Sequence, residues 1–229
     1  MKQYINKGLL PFILILFATV IAAGSGVRAS EYTSELLQKS DDVQISWTHL
    51  STANGDLDVP SGSTEQTASL VLDINKDGLN DLVVAARKGS GPSMVWYKKQ
   101  TSGWQRFVID NQVLSIEAGG AYHDIDQDGD LDIVMGGDSG SSSVWWWENP
   151  YPNYNPSTNW TRRLIKNSGS NKHHDQMFGD FDNDGKTELV FWNQGAQNLI
   201  LAEIPDNPRT SGPWTQQTIY SWTGRWPAL

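Results

Sequence analysis

One acidic loop occurs three times along this chain of 229 residues, and a short apolar run follows each copy. The shared pattern is D-x-[DN]-x-D-G-x-x-[DE]. The three copies begin at Asp73, Asp124 and Asp180, so their starts lie 51 and 56 residues apart. Repeats of about this length are typical of chains that stack one supersecondary unit many times, as solenoids and propellers do.

The oxygen atoms of each loop have the spacing of a calcium site. Calcium takes about 6–8 oxygen ligands, and acids at loop positions 1, 3 and 5 converge if the chain turns sharply. Glycine at position 6 permits that turn because it tolerates a positive φ. The main-chain carbonyl at position 7 and the acid at position 9 complete the predicted shell. The alternative is a set of acidic β-turns, in which Asp and Gly are common.

We predict up to three calcium ions, each held by five residues of one loop. The predicted ligands are Asp73, Asn75, Asp77, Leu79 and Asp81 in loop one; Asp124, Asp126, Asp128, Asp130 and Asp132 in loop two; and Asp180, Asp182, Asp184, Lys186 and Glu188 in loop three. An amide replaces a carboxylate in loop one, so we expect weaker binding there. Loop two carries five carboxylates and is expected to bind most strongly.

The residues beside the loops favour strands. An EF-hand has the same opening but needs a Glu at position 12 between two helices. Position 12 is Val84, Met135 or Phe191 here, and the flanks are short, apolar and β-branched. The pattern therefore predicts strand–loop–strand calcium sites.

A tryptophan recurs in step with the loops. The residues are Trp47, Trp104, Trp160 and Trp214, at intervals of 57, 56 and 54, and each is predicted to open a strand. Another apolar strand is predicted between each loop and the next tryptophan. One repeat of roughly 55 residues therefore holds about four strands, the content of one propeller blade.

The loops with their flanking strands resemble FG-GAP/VCBS-type repeats, as in the β-propeller of integrin α-subunits and many secreted microbial proteins. The resemblance covers residues 43–220, although Glu117-Ala-Gly-Gly-Ala stands where a literal Phe-Gly-Gly-Ala-Pro would lie. It implies an all-β propeller, and family propellers usually have about six to eight blades. Three loops and four tryptophans predict an incomplete propeller of three to four blades, completed by further blades or a partner chain. A closed four-bladed ring is the alternative.

The N-terminus has the organisation of a secretory signal peptide. Two lysines precede an apolar stretch of 15 residues, and Ala29 ends a small-residue cleavage site. We predict a signal peptide over 1–29, a lead-in over 30–42 and blades over 43–229. The mature protein is then secreted or periplasmic, without stable membrane insertion. The alternative is an uncleaved membrane anchor, although a spanning helix needs about 20 apolar residues.

Composition excludes several classes of protein. The chain has no cysteine, which excludes disulfides, thiol catalysis and cysteine-bound zinc. The formal net charge of −9 becomes −12 without residues 1–29, which carry three basic residues and no acid. The three loops hold 12 of the acids, so the metal sites account for much of this charge. The acidity argues against nucleic-acid or anionic-membrane partners.

One polar cluster is a candidate for catalysis. Its members precede two of the acidic loops in the chain. Five to seven residues before loop three lie His173, His174 and Asp175, and seven residues before loop two lies Glu117. If the strand that enters each loop is innermost, as the resemblance implies, these side chains meet near the central axis. There they can bind a metal or act as acid and base on a sugar. The alternative is solvated turn polarity.

Three consecutive tryptophans, Trp145, Trp146 and Trp147, alternate across one predicted strand, so the middle ring faces opposite to the others. One face is expected to pack between blades, and exposed rings on the other would stack on sugars. We therefore expect a recognition module that binds an extracellular glycan or protein. The alternatives are a propeller-type polysaccharide lyase or sugar dehydratase, and a structural blade array.

Overall fold

The computed structural model describes residues 46–60, 62 and 64–224. The predicted signal peptide 1–29 and lead-in 30–42 lie outside the described residues. The chain divides into two compact units, Met1–His49 and Leu50–Leu229. Residues 46–49 of the first unit form no strand, so the strand predicted at Trp47 is wrong. Trp47 has the spacing of the repeated tryptophans, but spacing alone does not make a strand, because a strand needs a paired neighbour to be stable.

The second unit is all-β, with three four-stranded antiparallel sheets in its described part. Sheet one comprises β1 (Thr64–Leu72), β2 (Asp81–Lys88), β3 (Met94–Lys99) and β4 (Trp104–Asp110). Sheet two comprises β5 (Ala121–His123), β6 (Asp132–Gly136), β7 (Val144–Glu148) and β8 (Thr161–Lys166). Sheet three comprises β9 (His173–Gly179), β10 (Glu188–Asn193), β11 (Asn198–Glu203) and β12 (Gln216–Ser221).

Every sheet is a meander, in which the order of strands in space is their order in the chain. Each acidic loop joins the first strand of a sheet to the second, as the apolar flanks predicted. A 3₁₀ turn, Gln194–Ala196, connects β10 to β11. Within the described ranges no helix is long and apolar enough to cross a membrane. The content of about four strands per repeat is confirmed.

Neighbouring sheets pack through their apolar faces. One core cluster joins sheet one to sheet two, and a second joins sheet two to sheet three. Trp145 and Trp147 lie in the first cluster and Trp146 in the second, which confirms the predicted alternation along β7. All three rings are buried, because sheet two is covered on both sides. None of these three rings is therefore exposed for stacking on a sugar.

Equivalent apolar positions differ in exposure between the sheets. The fifth residue after the repeated tryptophan is Ile109 in sheet one, Ile165 in sheet two and Ile219 in sheet three. The first two are 0% exposed and the third is 44% exposed. A following sheet covers the first two positions, whereas no sheet in the described part of the chain covers this side of sheet three.

Candidate functional site

The three acidic loops share one backbone conformation. The position-6 glycines all have a positive φ, of 83°, 92° and 88°, at Gly78, Gly129 and Gly185. Position 4 is left-handed as well, with φ of 58°, 61° and 66° at Lys76, Gln127 and Asn183. The sequence pattern leaves position 4 open, so this second left-handed residue was not predicted. The repeated pair shows that the three loops turn in the same way.

Backbone amides hold the first and last acids of each loop. In loop three, the N–H of Gly185 donates to Asp180 Oδ2 at 3.1 Å, and the N–H of Phe181 donates to Glu188 Oε2 at 2.8 Å. Loops one and two contain the same two hydrogen bonds. The acid at position 9 therefore pins the start of its own loop, in addition to its predicted role as a ligand.

Loop three differs from the other two in the free oxygen of its last acid. In loop two, Asp132 uses its second oxygen to accept a hydrogen bond from the N–H of Asn149 at 2.8 Å. Glu188 is longer by one methylene, and its Oε1 is buried without a hydrogen-bond partner. One oxygen from each of four loop-three acids lies within 4.8 Å of the others: Asp180, Asp182, Asp184 and Glu188.

Loop two brings a smaller group together. Single oxygens of Asp124, Asp126 and Asp128 lie within 4.8 Å of one another. The side chain of Asp126 is 2% exposed, and its Oδ2 lies 2.8 Å from Arg209 Nε. Asp130 is also buried, with an Oδ1 that has no hydrogen-bond partner. Loop two therefore contains buried carboxylates, one of which already faces a cationic side chain.

Loop one brings fewer acids together. Its carboxylates form no group of three among the residues that the structure describes. Asn75 instead donates from its amide to Asp77 Oδ2 at 2.8 Å, and Lys98 Nζ lies 3.8 Å from the same oxygen. Leu79, the predicted carbonyl ligand of this loop, is exposed. This contact geometry is compatible with the weaker binding expected of loop one, which stays a prediction.

Burial makes several loop carboxylates resist ionisation. It raises the pKa of Asp81 to about 6 and that of Asp132 to about 8. Burial, followed by the neighbouring charge of Asp128, raises the pKa of Asp130 to about 7. A bound cation would favour the ionised forms and so lower these pKa values. Binding of a metal ion would therefore be coupled to the release of protons from these carboxyl groups.

Residues 124–191 match the family model of the FG-GAP-like repeat. The chain contains an FG-GAP-like repeat. The matched span starts at Asp124 and ends at Phe191, so it includes loops two and three and the strands between them. The FG-GAP resemblance inferred from the loops is thereby confirmed. Comparisons with curated proteins and with solved structures gave no match.

A second cluster of the FG-GAP-like chain lies at the opposite ends of the strands from the acidic loops. Glu117 is 2% exposed and forms an ion pair with Arg87, and its Oε1 lies 3.6 Å from His174 Nε2. Arg87 Nε also lies 3.2 Å from Asp138 Oδ2. Burial raises the pKa of Glu117. The structure thus brings together two of the four residues proposed for catalysis.

Sequence reasoning missed Arg87 and Asp138. Each lies 14 residues after the start of its acidic loop, Arg87 in β2 and Asp138 just after β6. Comparing the residues at equal distances from each acidic loop, as was done for Glu117, could therefore have identified Arg87 and Asp138. Since the acid and the base belong to neighbouring sheets, the ion pairs tie these sheets together at this end.

The other two candidates lie in different surroundings. His173 is fully buried and donates from Nδ1 to the carbonyl oxygen of Gly137 at 3.0 Å. Burial, with the nearby charge of Lys166 as a second cause, lowers its pKa to about 4. Asp175 is exposed, and its backbone N–H donates to the carbonyl of Ala118 at 3.2 Å. The four candidates therefore do not converge on one point.

Proposed function

We propose that this chain is a secreted FG-GAP recognition module, built from propeller blades, whose loops bind calcium and whose target is an extracellular glycan or protein. The presence of an FG-GAP-like repeat suggests a binding module. The observation that carries the calcium proposal is the group of four acids in loop three, which includes the buried Glu188. Loop two contributes a second site.

The chemistry of loop three favours a hard divalent cation. The buried Glu188 oxygen has no hydrogen-bond donor, which is costly, and the three exposed aspartates beside it add negative charges that repel one another. Calcium compensates both costs because it binds carboxylate oxygens and carries two positive charges. Asp180, Asp182, Asp184 and Glu188 would hold it, with the carbonyl of Lys186 as a further ligand. Calcium would contribute structural stabilisation by binding the folded chain in preference to the unfolded one.

Contacts between loops one and two support the proposal that a bound ion would stiffen the module. Asn149 Nδ2 donates to the carbonyls of Ile74 and Leu131, both at 3.1 Å, and Tyr154 Oη donates to Ile74 O at 3.0 Å. Residues that follow β7 therefore tie loop one to loop two. An ion that orders a loop would also order this junction, and the loops between the strands would then present a rigid binding surface.

A calcium titration by isothermal calorimetry tests the proposal. We expect the full-length chain to bind calcium with a dissociation constant of roughly 10⁻⁴–10⁻³ M, as extracellular modules often do. Asp182→Asn should remove the loop-three site, whereas Asp206→Asn, an exposed acid outside the loops, should have no effect. Millimolar calcium should also raise the thermal unfolding midpoint relative to chelator. Absence of binding and of any midpoint shift would refute the calcium proposal.

A second candidate function is supported by the proximity of Glu117 and His174. An acid and an imidazole 3.6 Å apart can act as a proton-transfer pair in a carbohydrate-active enzyme. Acidic polysaccharides incubated with the chain would then yield unsaturated sugars that absorb in the ultraviolet. Loss of that absorbance in a folded His174→Ala variant would favour the enzyme. Glycan binding without any product would favour the recognition module.

A further inference from the structure

An arginine from the segment between β11 and β12 lies among the acids of loop two. Arg209 follows β11, and its Nε lies 2.8 Å from Asp126 Oδ2. Its Nη2 donates to Asp128 Oδ2 at 2.6 Å, and its Nε donates to Glu148 Oε1 at 2.9 Å. Asp126 and Asp128 are two of the three acids that converge in loop two. The guanidinium therefore occupies oxygens that a calcium ion would need.

We propose that Arg209 competes with calcium for loop two, so that loop three fills first and calcium binding at loop two releases the arginine from Asp126 and Asp128. This inference rests on the proposed calcium function. A guanidinium is a permanent cation whose planar donors match carboxylates. A divalent ion at the same oxygens repels it and replaces its hydrogen bonds. The arginine must therefore move away before the ion is fully coordinated.

Loop three has no such competitor. No ion pair joins an Arg or Lys to Asp180, Asp182, Asp184 or Glu188 in the part of the chain that the structure describes. Counting carboxylates favoured loop two as the strongest site. The position of Arg209 instead favours loop three as the stronger calcium site, because the arginine already neutralises part of the negative charge of loop two.

Release of Arg209 would alter the contact between sheets two and three. Glu148, at the end of β7, remains a partner for the arginine, and it is also bound by Arg163 Nε at 3.0 Å. Arg163 additionally donates to the main-chain carbonyl of Arg209. The main chain between β11 and β12 would therefore keep its contact with Arg163 while the guanidinium of Arg209 moves. Calcium occupancy of loop two would in this way be coupled to the conformation of that segment.

Calorimetric titration with calcium chloride tests the competition when loop two is measured alone. The full-length chain carrying both Asp77→Asn and Asp182→Asn provides this background, because these mutations disable loops one and three. Adding Arg209→Gln should raise the remaining calcium affinity about three- to tenfold, the effect expected from removing one nearby positive charge. The gain should shrink at high salt. Arg106→Gln is the matched control, since it removes an arginine that donates to the carbonyl of Pro60 and forms no ion pair with Glu148 or a loop-two acid among the described residues, and it should change the affinity less than about twofold.

Each outcome decides the inference. If the Asp77→Asn, Asp182→Asn background still binds calcium and Arg209→Gln does not tighten that binding, Arg209 is no competitor. If this background binds no calcium, even with Arg209→Gln, loop two is not a calcium site, and the proposal for loop three stands. Failure of every variant, including the unmodified chain, to bind calcium would refute the proposed function itself. Arg209→Ala serves as a second variant should Arg209→Gln unfold cooperatively at a lower temperature than the background chain.

Discussion

Glu188 accepts a hydrogen bond from the backbone N–H of Phe181 through Oε2, at 2.8 Å, and leaves Oε1 buried without a partner. The shorter Asp81 and Asp132, at the same loop position, use both of their oxygens on backbone amides. The extra methylene of Glu188 thus separates two tasks, one oxygen holding the loop and the other remaining available to a cation.

Shortening this side chain is expected to weaken the loop-three site without changing its charge. Glu188→Asp should reproduce the arrangement of the other loops, in which both oxygens are engaged. We expect its calcium affinity at loop three to fall about tenfold, because one ligand of a shell of about 6–8 is lost. Calorimetry in an Asp77→Asn, Asp126→Asn background, which disables loops one and two, measures this directly. Asp132→Glu is the reciprocal variant, and an unchanged affinity in Glu188→Asp would contradict the separation of tasks.

Two isoleucines at equivalent positions are expected to contribute unequally to stability. Ile109→Ala should lower the free energy of unfolding by about 2–4 kcal/mol, because it leaves a cavity in the core between sheets one and two. Ile219 is 44% exposed, so Ile219→Ala should cost less than about 1 kcal/mol. Urea denaturation of both variants provides the comparison. Equal costs would mean that another surface covers sheet three in solution.

The buried imidazole of His173 is expected to make stability depend on pH. Its folded-state pKa lies near 4 and its ordinary value near 6.5, so the unfolded chain binds the additional proton between these values. The free energy of unfolding should therefore decrease as pH falls from about 6.5 to 4, by roughly 2–3 kcal/mol from this group.

Replacement by a neutral residue isolates that contribution from the carboxylates. The unfolding free energy of the unmodified chain should fall between pH 7 and pH 4. In His173→Gln this fall should be smaller by the roughly 2–3 kcal/mol that the imidazole contributes. His174→Gln is the control, since its side chain is 26% exposed. A pH profile that is parallel in His173→Gln and the unmodified chain would show that the imidazole does not remain neutral on folding.

A buried aspartate links β4 to sheet two. Asp110 is 2% exposed, and its Oδ2 accepts hydrogen bonds from Trp147 Nε1 at 2.9 Å and from Arg162 Nη1 at 2.6 Å. Asp110→Ala leaves both donors without this acceptor and should cost about 3–5 kcal/mol, as when one partner of a buried pair is removed. Thermal or urea unfolding against Asp206→Asn, an exposed acid, measures the difference. A cost below about 1 kcal/mol would show that solvent replaces the carboxylate.

The strand–loop–strand organisation could be predicted because it depends on residues close together in the chain. The position-6 glycines and the apolar runs after each loop have local conformational preferences, and these preferences persist in the folded protein. The alternation of Trp145, Trp146 and Trp147 likewise follows from the two-residue period of any strand. The strand at Trp47 could not be judged this way, because strand formation also depends on a neighbour elsewhere in the chain.

The sequence by itself determined the repeat, the three acidic loops and the opposite facing of neighbouring side chains, since each follows from backbone geometry over a few residues. Only the tertiary structure decided that all three tryptophans of β7 are buried, that the imidazole of His173 bonds to the carbonyl of Gly137 and that Arg209 contacts Asp128, 81 residues away. Such outcomes depend on which sheet faces pack together, because packing brings distant residues into contact and sets the burial and charge of each site.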